Sequence, residues 1–181
     1  MEHPKPETAR LFFALWPDAP ACTRLDKIGR CLHEVCGGRR TRAETIHLTL
    51  VFLGEVELAR IDELLELAGV IQAPAFDLRL TRCGWWRHNG IAWVAPGETS
   101  QALVQLVDEL RKRLGSAGFR LETRAFVPHV TLLRKAHCKN DVLPHEEIEW
   151  RAEDFVLVRS ILNERGAAYE VVGRWPLLSR K

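Results

Sequence analysis

Two short segments carry side chains able to trade protons around a reacting phosphate: His47-Leu48-Thr49-Leu50 and His129-Val130-Thr131-Leu132. Both lie in aliphatic surroundings. Side chains alternate across a strand, so residues two apart face the same way. His47 and Thr49 therefore share one face, while Ile46, Leu48, Leu50 and Phe52 share the other; His129 and Thr131 likewise oppose Pro128, Val130 and Leu132. Each strand is expected to bury its aliphatic face and to point an imidazole and a hydroxyl into a common cleft. Opening a cyclic phosphodiester with water requires a base for the water proton and an acid for the leaving sugar oxygen. An ordinary imidazole pKa near 6.5 lets two rings take opposite protonation states around neutrality. The threonine hydroxyls can donate to the non-bridging phosphate oxygens, where charge grows in the transition state. One His-x-Thr says little; two in matched strands point to one site. His129 is read as the ring that activates water and His47 as the acid to the leaving oxygen, an assignment that sequence alone does not fix, with the roles exchanged in the reverse reaction.

The elements that must position these residues can be read from periodicity and punctuation. Arg10 to Trp16 is an apolar run stopped by Pro17-Asp18 and reads as a buried strand. From Ala19 to Val35, Leu25, Ile28, Leu32 and Val35 recur at helical steps until Gly37-Gly38 ends the pattern. Ile46 to Gly54 reads as a strand, and Glu57 to Ile71 as a helix with Leu58, Ile61, Leu64, Leu65, Ala68 and Val70 on its apolar stripe. Strands follow at Phe76–Thr81 and Ile91–Val94, with a turn signal at Asn89-Gly90. Ser100 ends a capping segment for a helix running to about Leu114, before the Gly115–Gly118 break. Val127–Leu133 is a strand, and Lys135–Glu149, polar and holding Pro144, reads as a loop or irregular edge. Phe155–Leu162 and Ala168–Val172 form a hairpin around Arg165-Gly166. Helices mixed with strands on short turns favour an α+β fold, and the repeated His-x-Thr strand is a faint internal echo.

Composition fits one soluble unit: 181 residues, 46% hydrophobic and 28% charged, with a net charge of +2. No apolar run approaches the roughly 18 to 20 residues that span a bilayer, and Met1–Arg10 lacks the apolar stretch of a signal peptide. Five irregularly spaced cysteines do not read as a disulfide framework and suggest a reducing compartment, the cytoplasm. Arg39, Arg40 and Arg42 cluster before the first motif and Arg134 and Lys135 follow the second, which suits an anionic substrate without the dense basic stripe of a duplex binder.

The two motifs resemble the paired signature of the 2H phosphoesterase superfamily. Arg10-Leu11-Phe12-Phe13-Ala14-Leu15, Phe52-Leu53-Gly54-Glu55-Val56, Phe126-Val127-Pro128-His129 and Arg174-Trp175-Pro176-Leu177 extend the likeness over nearly the whole chain. They narrow it to the bacterial and archaeal RNA 2′,3′-cyclic phosphodiesterase branch, first described as 2′-5′ RNA ligases. The resemblance implies one bilobal unit over residues 1–181, two pseudo-symmetric lobes of antiparallel sheet with flanking helices and a central cleft. It implies hydrolysis of RNA 2′,3′-cyclic phosphate ends to 2′-phosphates without metal or cofactor, weak reversible 2′-5′ joining, and a monomer whose partner is an RNA 3′ end. It also assigns phosphate binding to Arg134, five residues after His129. Strict alternation would set Arg134 on the opposite face from His129, so the strand must end or bend first. The chain departs from the family where an aromatic residue often precedes the first motif: here stands Arg40-Thr41-Arg42, available to RNA backbone.

Other residues carry weaker signals. Phe12 reads as core packing, Trp85, Trp86 and Trp93 as core or rim with none singled out for base stacking, and His88 as an exposed turn residue. His137, Cys138 and His145 fit no standard zinc spacing. Two rival functions remain: a phosphodiesterase for 2′-5′ oligoadenylate, cyclic ADP-ribose phosphate or another small nucleotide, and an RNA-end-binding module with little turnover. A substrate panel separates the first, and the intact His/Thr quartet favours turnover over binding alone.

Overall fold

The apolar run at the start becomes β1 (Thr8–Leu15), whose alternate residues serve two faces. Leu11, Phe13 and Leu15 enter the main core, whereas Phe12 and Ala14 join Val156 and Val158 in a second small cluster with Trp16, Phe52 and Tyr169. The computed structural model describes residues 6–140, 145–163 and 166–179. Pro144 of the expected loop, Arg165 of the expected turn and the start of the Met1–Arg10 segment lie outside them.

Asp18 caps α1 (Ala19–Cys36) by accepting a 2.7 Å hydrogen bond from the Ala21 amide, and Pro20 occupies the first turn, where no amide partner is needed. Leu25, Ile28 and Leu32 form its buried stripe, and Gly37 ends it at φ 60°. β2 (Arg39–Arg40) is a two-residue strand, and β3 (Leu48–Glu57) begins one residue after His47. The helix expected over Glu57–Ile71 is shorter: Glu57 closes β3, Leu58–Arg60 is a 3-10 turn, and α2 spans Ile61–Gly69. Val70, expected on the apolar stripe, is 58% exposed because α2 stops before it.

β4 (Phe76–Trp86) runs through both tryptophans to the Asn89-Gly90 turn, and β5 (Ile91–Pro96) returns beside it. Ser100 accepts from the Leu103 amide at the start of α3 (Gln101–Ser116), which buries Leu103, Leu106, Val107, Leu110 and Leu114. Each fully buried leucine contributes roughly 1.5–3 kcal/mol relative to exposure. β6 (Val130–Arg134) starts one residue after His129, three residues later than expected. Within the polar stretch read as a loop, Ile148 opens β7 (Ile148–Ala152), an edge strand paired with β4. β8 (Asp154–Asn163) and β9 (Gly166–Pro176) make the expected hairpin against β1.

The named strands all pair antiparallel among the described residues, in the order β7-β4-β5-β6-β3-β1-β8-β9 with β2 on β6. The sheet has two halves, each with four strands in this order, and among the described residues they meet in a single paired position, Leu48 with Val130. The internal echo is structural: β1-α1-β3 and β5-α3-β6 are the same strand-helix-strand unit, with the two strands paired. The helices are exchanged. α1 packs on β6 and β7 of the far half, and α3 packs on β3. The expected α+β, bilobal, pseudo-symmetric architecture is the one observed.

Candidate active site

Leu48 and Val130, both fully buried, pin the seam between the halves. Continuing that antiparallel register by one residue each way sets His47 across from Thr131 and Thr49 across from His129. The four polar side chains of the two motifs thus gather at one point of the sheet, on the face opposite their buried aliphatic neighbours.

Both imidazoles are held alike. His47 Nδ1 lies 2.7 Å from the Thr45 carbonyl and His129 Nδ1 lies 2.8 Å from the Val127 carbonyl, in each case two residues back. A carbonyl only accepts, so Nδ1 carries the hydrogen in both rings and Nε2 keeps its lone pair when the ring is neutral. In His47 that lone pair accepts from the Thr49 hydroxyl at 3.1 Å. Ala14 is the β1 partner of Thr49, and Trp93 is the β5 partner of Thr131.

Arg134 meets the geometric condition set by the sequence. Along β5 the register steps from Ala92–Leu133 to Trp93–Thr131, so β6 holds one extra residue there, a β-bulge. Leu132 and Leu133 are consequently both buried, and Arg134 returns to the face of Thr131 and His129. β3 does the same after Thr49: the register steps from Ala14–Thr49 to Phe13–Val51, and Leu50 and Val51 are both buried. Five residues past each histidine stand Arg134 in one half and Phe52 in the other. Local symmetry with unlike side chains makes the cleft one-sided in charge.

Electrostatics follow from this placement. Burial is the main cause that lowers the His47 pKa, to about 4, against an opposing hydrogen bond to Thr45; the positive charges of Arg134 and His129 add to the lowering. His129 is lowered too, first by burial and then by Arg134, with the Val127 carbonyl opposing. Both shifts favour the neutral rings at neutral pH.

Three aromatic residues explain the stronger desolvation of His47. Phe12 lies 4.9 Å away between ring centroids, Trp16 stacks at 5.6 Å and Tyr169 meets it edge-on at 5.4 Å. His129 has Trp86 edge-on at 4.7 Å. The cleft continues past His129 as a cavity of about 520 Å³ lined by Thr49, Phe52, His88, Trp86 and Phe126, among others. Phe12 is buried as expected and also touches His47, and His88 is both exposed and on the cavity rim. Trp85 is core, its indole donating to the Ala136 carbonyl at 3.0 Å. Trp16, Tyr169, Phe52 and Phe126 were not singled out for the site. The shared face of Phe12, Ala14 and Trp16 on one strand was the available signal for Trp16.

Of the rejected metal candidates, Cys138 is bonded to Cys36 in a disulfide, and His145 Nε2 lies 3.3 Å from the Leu80 carbonyl. The disulfide departs from the expectation of unpaired cysteines: it joins the end of α1 to the segment after β6, 102 residues on, a proximity that spacing does not reveal.

Residues 17–161 match the model of the 2′-5′ RNA ligase superfamily. The chain belongs to this family. Among its 2H phosphoesterase relatives, the RNA 2′,3′-cyclic phosphodiesterase of Escherichia coli K12 is 35% identical over 94% of this chain and 98% of its own. A protein of the same description from Thermus thermophilus is 29% identical over 93% and 90%. Escherichia coli LigT, solved with 3′-AMP, superposes with a TM-score of 0.86 at 32% identity, covering 94% of this chain and 99% of LigT.

The depressed His47 pKa carries a consequence for stability in this family member. The folded value, about 4, lies below the ordinary 6.5, so the unfolded chain binds more protons between those limits. Stability from this group is complete above pH 6.5 and is lost as the pH falls towards 4. The loss amounts to at most about 3 kcal/mol. Urea midpoints at pH 7 and pH 4.5 should differ more for the wild type than for His47→Gln, which cannot take the proton. Equal differences would show that His47 is not desolvated in the folded state.

Proposed function

We propose that this chain opens RNA 2′,3′-cyclic phosphate ends to 2′-phosphates with two histidines and no metal. The observation that carries the reading is the register at the seam, which supports His47, His129, Thr49 and Thr131 acting on one phosphorus. In the forward step an imidazole Nε2 removes a proton from water, the water oxygen bonds phosphorus, the P–O3′ bond breaks, and the second imidazole delivers a proton to O3′. The phosphate stays on O2′. The threonine hydroxyls and the Arg134 guanidinium donate to the non-bridging oxygens, and Thr49 leaves His47 Nε2 to do so.

His129 is the ring assigned to the water and His47 the ring assigned to O3′, and in 2′-5′ joining the roles exchange. Burial and the Arg134 charge lower both imidazole pKa values, and a bound phosphate anion raises them again, which lets the acid hold its proton.

The relatives described as RNA 2′,3′-cyclic phosphodiesterases support the substrate, and LigT with 3′-AMP supports a nucleotide in the cleft. The chain works as one bilobal unit and a monomer in the cytoplasm. No helix among the described residues is long and apolar enough to cross a membrane.

Incubating the protein with EDTA and a short RNA ending in a 2′,3′-cyclic phosphate tests the reading. A 2′-phosphate product is expected. A 3′-phosphate, or activity abolished by the chelator, would overturn it.

A further inference from the structure

Three arginines stand just before the first motif, and the structure separates them. Antiparallel partners share a face of the sheet. Arg40 pairs with the buried Leu133, and its guanidinium lies 2.7 Å from Asp26 on α1, so it belongs to the helix side. Arg42 is 3.3 Å from Glu44. Arg39 pairs with Arg134 and so shares the face that carries His129 and Thr131. Among the described residues neither Arg39 nor Arg134 forms an ion pair with a carboxylate, and both are exposed.

Two like charges directly opposite each other on an antiparallel pair are destabilising. The backbone nevertheless enforces the meeting. Gly38, at φ 82°, lies so close to the end of β6 that an added Cβ would stand 2.6 Å from the Arg134 carbonyl oxygen and 2.8 Å from that of Lys135. Only glycine tolerates this approach together with that backbone angle. Arg134 is the arginine whose charge lowers both imidazoles, so it is the nearer of the two to the reacting phosphorus. Arg39 stands one strand across from Arg134, on the edge of β6 that also meets β3, and on the same face. An array of anions spaced along a chain would relieve the repulsion and engage both guanidiniums.

We propose that Arg39 and Arg134 form a two-phosphate clamp, in which Arg134 holds the reacting cyclic phosphate and Arg39 the neighbouring phosphodiester of single-stranded RNA. The clamp selects polynucleotide ends over mononucleotides. It rests on the cyclic-phosphate reading above for the occupant of Arg134, and it adds a specificity-determining residue that the two motifs do not contain.

The test compares wild type, Arg39→Ala and Arg39→Lys on a trinucleotide ending in a 2′,3′-cyclic phosphate and on a mononucleoside 2′,3′-cyclic phosphate. Wild type should prefer the trinucleotide in kcat/KM, and Arg39→Ala should cut that preference about tenfold, the scale of one charge-assisted contact. Arg39→Lys should keep most of it. The loss should fall on KM more than on kcat. The slope of log binding constant against log salt for the trinucleotide should shrink by about 0.7 in the alanine variant, one phosphate fewer. No wild-type preference, or the same preference in Arg39→Ala, would overturn the clamp. Fluorescence anisotropy with a dye-labelled trinucleotide 2′-phosphate judges it independently of turnover. If wild type hydrolyses neither substrate, the catalytic reading fails. The clamp then stands if Arg39→Ala weakens binding about tenfold, and falls if it does not.

Discussion

Replacing either His47 or His129 by alanine is expected to lower kcat on a cyclic-phosphate RNA end by about 10³-fold, while binding of the 2′-phosphate product changes only a few-fold. If the two rings act on one phosphorus in one step, the double variant should lose little more than the worse single one. Each Nδ1–H is already committed to a backbone carbonyl, which leaves the Nε2 atoms for proton transfer. An activated ester separates acid from base. With a nucleoside p-nitrophenyl phosphodiester the phenolate departs without a proton. His47→Ala should then recover most of its lost rate and His129→Ala none. Recovery in His129→Ala instead would give the acid role to His129, and full activity of both variants on RNA would remove the histidines from the reaction.

Arg134→Ala should reduce kcat/KM by about 10²-fold to 10³-fold, the range found when a preorganised donor to a developing oxyanion is removed. Arg134→Lys should restore part of this, since lysine supplies the charge but not the planar fork. The pH profile is the more telling readout. The charge of Arg134 helps to hold both imidazole pKa values down, so in Arg134→Ala both rise. The acidic limb of kcat/KM, which reports the free enzyme, should move to higher pH. A structural loss alone would lower the profile without moving it, and an unmoved limb would place the guanidinium too far from the histidines to serve the reaction.

The site was legible in the sequence where local pattern decides it. The alternation around His47 and His129 placed imidazole and hydroxyl on one face, and the observed register agrees. α1 and α3 could be read from their apolar spacing and their caps, Asp18 and Ser100. What escaped depends on partners remote in the chain. β2 is two residues long and exists only because Gly38 lets it lie against β6. Arg134 reaches the cleft face through a bulge set by β5, which no pattern within β6 announces. The aromatic wall of His47 draws Phe12 and Trp16 from the first strand region and Tyr169 from β9. β7 is different: Ile148, Trp150 and Ala152 alternate plainly with Glu149 and Arg151, and the polar, proline-bearing stretch before them masked a readable strand.

The exchanged helices bear on how the protein comes into being. While the chain is being made, α1 emerges long before the strands β6 and β7 that it covers, and β3 emerges before the helix α3 that packs on it. A nascent chain that has released His47 but not His129 holds an unfinished sheet with an uncovered helix stripe. Neither half holds both histidines, so a half-length product lacks the pair that the proposed reaction needs. Competence to act on RNA therefore arrives late and all at once, when the second half closes over the first.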